Sequence, residues 1–221
     1  MKPWETLASA TTPDGGRFTL QRFDGHYVIY ADRYELMTSY SHDSEDAMMS
    51  LACPTPPADA CILIGGLGMG FTVAATLDGM PPGGTVIVSE IVPEVVEWNR
   101  GVLGPLAGNP LDDPRVDLVV GDVADVIRDS ESRFDAVLLD VDNAIDSFTL
   151  ARNSWLYTPA GGLGSIHRAL RPRGALAIWS VGTEEKFERP LRKAGFAASI
   201  YPFRGRGKSG GHYSVLVGRR R

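Results

Sequence analysis

The sequence predicts an α/β protein of doubly wound, Rossmann-like architecture, and three observations support this fold class. From residue 59 onward, short apolar runs typical of strands covered on both faces alternate with helical segments. A glycine-rich turn follows the first of these runs, at Gly65–Gly70. Ahead of residue 59, a hairpin pattern predicts a small β-rich segment.

The N-terminal segment contains a hairpin signal, because Asp24-Gly25 separates two stretches of alternating residues, 17–23 and 26–30. A third strand is predicted at residues 34–38. A short helix is predicted over residues 44–51, with Asp43 or Ser44 as its cap. The proline-rich stretch at residues 54–59 then separates a small β-rich N-terminal segment (1–58) from a Rossmann-like domain (59–221).

The second domain is predicted to alternate strands and helices. Helices are expected after the glycine-rich turn through Leu77, from Pro93 onward, and over 160–170 and 184–194. The predicted strands cover residues 61–64, 85–89, 116–120, 134–139, 175–180, 196–201 and 213–217.

Composition narrows the class of protein. Of 221 residues, 43% are hydrophobic and 22% charged, which is typical of a globular chain with a substantial core. No run reaches the roughly 18 apolar residues of a membrane helix, so we expect no membrane partner. The first residues contain no apolar signal segment, and two cysteines, Cys53 and Cys61, cannot form a disulfide framework. A cytoplasmic location is therefore expected.

The charge pattern argues against nucleic acid as a partner, since 22 basic residues stand against 27 acidic ones. The four histidines and two cysteines have no metal-ligand spacing, so no metal is predicted. The C-terminal stretch is basic, from the Arg204–Lys208 loop to Arg219–Arg221. These residues form either a solvated loop and tail or a rim that binds an anion.

The run Ile64-Gly65-Gly66-Leu67-Gly68-Met69-Gly70 follows a strand and opens a helix, which indicates a nucleotide site. It is not a P-loop, because Phe71 stands where the lysine before the hydroxyl residue would be. Glu90, about 20 residues beyond the last glycine, is placed to accept hydrogen bonds from ribose hydroxyls. A nicotinamide dinucleotide and S-adenosylmethionine both satisfy this pattern.

Acids after the next two strands add to the pattern. Asp122, in Gly121-Asp122-Val123, can accept the adenine amino group, which favours S-adenosylmethionine, and it can also cap a helix. Asp140 ends the fourth strand, where a carboxylate could accept a proton or hold a cationic acceptor. Asp142, a second candidate catalytic acid, and Asn143, a candidate substrate-binding residue, follow at the same edge of the sheet; a solvated loop is the alternative for both.

Trp155 and Tyr157 follow farther along, and their aromatic rings suit a flat or cationic acceptor, with ordinary packing as the alternative. No Gly-x-Ser-x-Gly element indicates a hydrolase nucleophile.

The glycine run, together with Glu90, Asp122 and Leu138-Leu139-Asp140, resembles the class I S-adenosylmethionine-dependent transferases, and within them the spermidine synthase group. The resemblance covers about residues 17–218. It implies a seven-stranded sheet whose last strand is antiparallel, and a homodimer.

The resemblance also implies roles for single residues. Gly66, Gly68 and Gly70 would surround the methionine part of the cofactor, next to Gly65. Glu90 and Ile91 would hold the ribose, and Asp122 and Val123 the adenine. His42 and Glu45 would touch the substrate, because the family's N-terminal segment covers the site there.

The chain departs from this family at three positions. Gly68 stands where the family has an acid that contacts the aminopropyl end of decarboxylated S-adenosylmethionine. The second acid after Asp140 is displaced, and Leu36 replaces a substrate-side glutamine.

The expected function is therefore an S-adenosylmethionine-dependent methyltransferase acting on a small-molecule acceptor. One alternative is an aminopropyltransferase, a spermidine or polyamine synthase, that uses decarboxylated S-adenosylmethionine. Another alternative is a non-catalytic nucleotide-binding module, and a nicotinamide-dependent dehydrogenase is a more distant one.

Overall fold

The computed structural model describes residues 4–141, 151–182, 187–205 and 211–221, without the side chains of residues 151 and 152. Within these ranges the chain forms eleven strands, arranged in two sheets, and six α-helices. None of the described helices is both long and apolar enough to cross a membrane.

The smaller sheet is an antiparallel meander of four N-terminal strands. Asp24 and Gly25 both have positive φ, at 48° and 84°, as a tight two-residue hairpin turn requires, so the predicted hairpin is confirmed. The first strand was not predicted, because it is a mostly polar edge strand whose pairing comes from its neighbour. The strands are β1 (Glu5–Thr11), β2 (Arg17–Phe23), β3 (His26–Ala31) and β4 (Tyr34–Thr38).

Helix α1 (Asp43–Ala52) follows this sheet. His42 occupies the N-cap position without a capping side-chain bond, so the predicted cap was wrong. The hydroxyl of Ser44 is used elsewhere, because it bonds to Glu45 and Trp179. At the other end of α1, the Arg219 guanidinium donates to the carbonyls of Leu51 and Ala52, which ties this helix to the last strand.

The larger sheet has seven strands and confirms the predicted doubly wound fold. Its strand order is β10-β11-β9-β8-β5-β6-β7; strands β5 to β9 are parallel, and β11 is antiparallel to both of its neighbours. The strands are β5 (Cys61–Gly65), β6 (Thr85–Glu90), β7 (Val116–Val120), β8 (Phe134–Leu139), β9 (Leu170–Val181), β10 (Phe196–Arg204) and β11 (His212–Arg220).

Five further helices connect these strands. Pro93 is the first residue of its helix, as predicted. The helix predicted over residues 160–170 is shorter, because the chain enters β9 at Leu170, five residues before the predicted start of that strand. The predicted helix start at Glu184 lies outside the described residues. The helices are α2 (Phe71–Gly79), α3 (Pro93–Arg100), α4 (Val123–Arg128), α5 (Gly162–Ala169) and α6 (Glu188–Lys193).

One hydrophobic cluster joins the two sheets. Leu20 and Ile29 of the N-terminal sheet belong to the same buried cluster as Ile62 and Ile64 of β5 and Met48 of α1. The boundary predicted at residue 58 lies in the loop between α1 and β5. The small sheet is therefore held against the large one by continuous packing.

Candidate active site

The carboxyl ends of four parallel strands meet at one edge of the large sheet. Backbone hydrogen bonds continue past the strand ends: Gly66 donates to Ser89 at 2.9 Å, Gly121 to Glu90 at 2.8 Å, and Asp140 to Gly65 at 2.9 Å. Strand β5 lies between β6 and β8, where the direction of winding reverses. Open α/β sheets bind ligands at this point.

A cleft of about 850 Å³, including the space at its open mouth, lies at this edge and is partly covered by the N-terminal sheet. Eight of the residues predicted for the site line this cleft. These residues are Glu45, Gly66, Gly68, Glu90, Ile91, Asp122, Val123 and Asp140.

The glycine-rich loop is shaped by close backbone contacts. At Gly66, where φ is 89°, an added Cβ atom would lie 2.2 Å from the carbonyl oxygen of Asp140, so only glycine fits. Gly70 is the N-cap residue of α2, and a Cβ atom on Gly65 would meet the side chain of Val123 at 3.0 Å. Gly65 and Gly70 therefore shape the loop but do not belong to the described lining of the cleft.

Two side chains from other elements hold this loop. The thioether sulfur of Met37, on β4, accepts the N–H of Met69 at 3.2 Å. The buried Asn99 side chain, on α3, donates to the carbonyl oxygen of Gly68 at 2.9 Å. The position of the loop therefore depends on both the N-terminal sheet and α3.

Glu90 presents a buried carboxylate at the end of β6. Its Oε2 atom accepts the N–H of Leu67 at 2.9 Å, and its Oε1 atom accepts the N–H of Val92 at 2.8 Å. Burial raises the pKa of Glu90, while these backbone donors act in the opposite direction. Each carboxylate oxygen can accept a second hydrogen bond, which a ribose hydroxyl can supply.

Asp122 both caps a helix and lines the cleft, the two positions that the sequence allowed for it. It is the N-cap residue of α4, with Oδ1 accepting the N–H of Ala124 at 2.9 Å, and it lines the cleft. Val123, the first residue of α4, lies beside it in the cleft wall.

The carboxyl groups of Glu45 and Asp140 interact in the cleft. Oδ2 of Asp140 accepts the Thr72 hydroxyl at 2.9 Å. Glu45, only 5% exposed, accepts the Ser44 hydroxyl, whose oxygen in turn accepts Nε1–H of Trp179 at 2.9 Å. These bonds fix the orientation of both carboxyl groups.

This environment changes the acidity of both groups. Burial, followed by repulsion from Asp140, raises the pKa of Glu45 to about 7. Burial raises the pKa of Asp140 to about 6, although the Thr72 hydroxyl opposes the shift. Near neutral pH the pair can hold one proton between its two carboxyl groups. It can therefore exchange a proton with a bound amine.

Three predicted substrate residues have other contacts. The His42 ring stacks on Phe71 at 3.9 Å between centroids, and its Nδ1 atom lies 2.7 Å from a carboxylate oxygen of Asp46. The Arg128 guanidinium covers the ring of Trp155, 4.1 Å from its centroid. Tyr157 is buried and packs edge-on against Phe187. Of the remaining candidates, Asp142 and Asn143 lie outside the described residues.

The cleft also contains residues to which the sequence assigned no role of their own: Asn153 was considered only as the amide of the stretch that includes Trp155 and Tyr157, and Trp179 was not considered. Asn153, 6% exposed, belongs to the same short 3-10 helix as Trp155 and Tyr157, but it is the residue that reaches the cleft. Trp179 lies on β9, within an apolar run that indicated only a buried strand. An apolar wall completes the lining and includes Phe18, Ile29, Leu36, Met37 and Val95.

Electrostatically, the cleft is acidic. Its described lining includes four carboxyl groups, those of Glu45, Glu90, Asp122 and Asp140, and no lysine, arginine or histidine. Among the described residues, no group of three or more histidines, cysteines and acids could hold a metal ion. The arrangement therefore suits a ligand that carries positive charge and hydroxyl donors.

Comparison with protein-family models found no match for this chain, and comparison with curated protein sequences found none either. Solved structures do resemble it. Spermidine synthase from Thermotoga maritima is 20% identical and has a TM-score of 0.75, over 98% of this chain and 73% of that one.

Two further structures have the same fold. A spermidine synthase in complex with the transition-state analogue AdoDATO is 21% identical with a TM-score of 0.73, over 98% of this chain and 72% of that one. A probable spermidine synthase from Corynebacterium glutamicum ATCC 13032 is 15% identical with a TM-score of 0.67, over 99% and 81% of the two chains. The strand order, the N-terminal sheet and these similarities together show that the chain has the spermidine synthase fold.

Proposed function

We propose that the protein transfers an aminopropyl group from decarboxylated S-adenosylmethionine to a small-molecule amine. The observation that carries the proposal is the charge of the cleft: four carboxyl groups and no basic side chain in its described lining. The fold agrees with this proposal, because the structures that share it include spermidine synthases.

The charge of the cleft separates the two forms of the cofactor. Both forms carry a sulfonium and an ammonium group, and intact S-adenosylmethionine carries a carboxylate in addition, so its net charge is one unit less positive than that of the decarboxylated form. A carboxylate would be repelled by the ionised acids of the cleft, above all by the Glu45–Asp140 pair, and would lack a positively charged partner in the described lining. A ligand with two positive charges and no carboxylate would be attracted to the same surface.

The N-terminus of α2 supports the same choice. Thr72 lies in the first turn of this helix and donates its hydroxyl to Asp140. The positive end of the helix is thus next to one of the protein's own carboxyl groups. The Asp140 carboxyl group therefore offsets the positive end of α2, which would otherwise attract the carboxylate of the intact cofactor.

The residues present fit the rest of the cofactor. Gly66 and Gly68 bring loop backbone into the lining of the cleft, Glu90 can accept ribose hydroxyls, and Asp122 with Val123 can bound the adenine. When bound, the sulfonium supplies a carbon that is open to displacement and a neutral thioether as leaving group. The protein's task is then to align the attacking amine, which can account for much of the rate.

Glu45 and Asp140 are the residues we assign to the acceptor amine. An amine must lose a proton before its lone pair can attack, and a carboxylate of the pair can accept that proton. The Ser44 and Trp179 bonds hold Glu45, and the Thr72 bond holds Asp140, so both carboxyl groups are oriented before the amine binds. One oxygen of Asp140, Oδ1, is then available to the amine.

Methyl transfer from intact S-adenosylmethionine is the second candidate. It is favoured by Gly68, since the spermidine synthases that the chain resembles have an acid at this position, which holds the aminopropyl end. The acidic lining outweighs this observation, because a missing acid removes one attraction, whereas the lining still offers acids and no basic side chain to the carboxylate of the intact cofactor.

The test is an assay of the purified protein with each cofactor and a panel of amines: putrescine, spermidine, cadaverine and a simple alkylamine. Aminopropyl transfer releases 5′-methylthioadenosine, and methyl transfer releases S-adenosylhomocysteine. We expect the first product, only with decarboxylated cofactor and in an amine-dependent manner. Release of S-adenosylhomocysteine alone would establish the second candidate. Cofactor binding without either product across the panel would favour a non-catalytic nucleotide-binding module.

A further inference from the structure

Met37 lies between the N-terminal sheet and the glycine-rich loop. Its sulfur accepts the N–H of Met69 at 3.2 Å, and a Cβ atom on Gly68 would lie 2.9 Å from the same sulfur. Met37 and Gly68 both line the cleft. The methionine side chain therefore fills the space beside the loop that a side chain at position 68 would otherwise occupy.

This contact occupies a backbone hydrogen-bond donor of the glycine-rich loop. Backbone N–H groups of a glycine-rich loop are the usual partners of an anionic ligand group. Here the Met69 N–H is covered by a thioether, which is only a weak acceptor and carries no charge. The nearby Thr72 hydroxyl is already bonded to Asp140. A carboxylate brought to this loop would lose water and gain neither donor.

We infer that Met37 is a specificity-determining residue that excludes a carboxylate from the end of the cofactor next to Gly68. The inference rests on the proposed use of a sulfonium nucleoside. It assigns the choice between decarboxylated and intact S-adenosylmethionine to one side chain of the N-terminal sheet. The acidic residues disfavour the intact form at a distance. Met37 disfavours it by contact, because it fills the space and covers the donor.

Variants at two adjacent positions can test this assignment. Met37→Ala removes the bulk and uncovers the Met69 N–H. Met37→Leu keeps most of the bulk without the sulfur, and it is a mild change because the volumes are similar. Leu36→Ala is the matched control: Leu36 also lines the cleft, on the same strand, but its aliphatic side chain cannot form a hydrogen bond to the loop.

The experiment is calorimetric titration of the wild-type protein and the three variants with S-adenosylmethionine and with its decarboxylated form, after thermal melting has shown that each variant is folded. We expect Met37→Ala to increase the affinity for the intact cofactor about tenfold relative to the decarboxylated one, the worth of one hydrogen bond to a charged group. Met37→Leu should keep the wild-type ratio, and Leu36→Ala should change both affinities in parallel.

The inference is overturned if Met37→Ala leaves the ratio of the two affinities unchanged, or if Leu36→Ala shifts it as strongly. Either result would leave the proposed function in place, provided that the wild-type protein still prefers the decarboxylated cofactor. Failure of the wild-type protein to bind either compound would remove both the inference and the proposed function.

Discussion

At the scale of single residues, the proposed chemistry of the cleft depends on Asp140 and Glu45. Both carboxyl groups are held by hydroxyl donors, and the bond that Trp179 makes to Ser44 extends the network into β9. Glu45 lies on α1 and Asp140 directly follows β8. Interacting acids with raised pKa values in a cleft are typical of acid–base sites, in which the raised pKa prepares a carboxyl group for proton transfer.

Replacing Asp140 tests its role in proton transfer. Asp140→Asn keeps the size of the side chain and can still accept the Thr72 hydroxyl through its amide oxygen. We expect turnover to fall by about a hundredfold, as for loss of a general base, while the affinity for the decarboxylated cofactor falls far less. Steady-state kinetics and calorimetry on the same preparation separate the two effects. Wild-type turnover in this variant would remove Asp140 from the reaction.

Glu45 should have a pH-dependent effect on stability. Its pKa is raised from 4.5 to about 7 in the folded protein, so the folded state holds this proton more tightly than the unfolded chain does. Stability is therefore highest below the unfolded pKa and is lost as the pH rises from about 4.5 to about 7. The full loss is on the order of 3 kcal/mol.

Glu45→Gln should accordingly raise the free energy of unfolding at pH 8, by up to about 3 kcal/mol, and change it little at pH 4.5. Urea unfolding at the two pH values measures this difference. Glu131→Gln, at an exposed position, is the control and should have a small effect at both. A Glu45 variant that is equally destabilised at both pH values would contradict this pH dependence.

At the scale of elements, the glycine-rich loop and the end of β8 form one unit. An alanine at Gly66 would place its Cβ atom 2.2 Å from the Asp140 carbonyl oxygen, and backbone cannot move away as a flexible side chain can. The strand end that carries Asp140 would have to shift. The geometry of the glycine-rich loop and the position of the Asp140 carboxyl group are therefore coupled.

Gly66→Ala can be compared with Gly25→Ala, which has a similar positive φ but nothing within 4 Å of the added Cβ atom. The hairpin variant should lose only the backbone strain of about 1–2 kcal/mol. The loop variant should lose clearly more in urea unfolding, and cofactor binding with it. Equal losses of stability in the two variants would show that the contact with Asp140 is relieved without cost.

Element by element, much of the fold could be predicted from the sequence, because apolar runs, turn residues and Pro93 are local signals. The missed elements had no such signal: β1 is a polar edge strand, and the early start of β9 depends on pairing with β8. Within the site, too, only residues with a local signal could be predicted. Glu90, Asp122 and Asp140 could be predicted to meet because each follows a parallel strand.

The other site residues could not be predicted in this way. Met37, Asn153 and Trp179 reach the cleft from the N-terminal sheet, a 3-10 helix and a distant strand, and their positions depend on packing between elements. Trp155 and Tyr157 had the more suggestive side chains, but the turn of that helix directs them to Arg128 and Phe187. Periodicity within one segment carries no information about such contacts.

At the scale of the whole molecule, the N-terminal sheet acts as a wall of the active site. The shared hydrophobic cluster fixes it over the carboxyl edge of the large sheet, where it supplies Met37 and much of the apolar lining. The chain carries a net charge of −5, and four of its acids converge on this cleft. The molecule as a whole therefore attracts cations to its cleft. A homodimer remains a prediction from the family resemblance.

The preference between the two cofactor forms is the most direct test of the proposed function. The measurement is parallel calorimetric titration of the wild-type protein with decarboxylated and intact S-adenosylmethionine at about pH 7.5, in one buffer of low ionic strength. The acidic cleft and the covered loop predict tighter binding of the decarboxylated form, with an advantage that shrinks as salt is added. Tighter binding of intact S-adenosylmethionine would contradict aminopropyl transfer and return methyl transfer to first place.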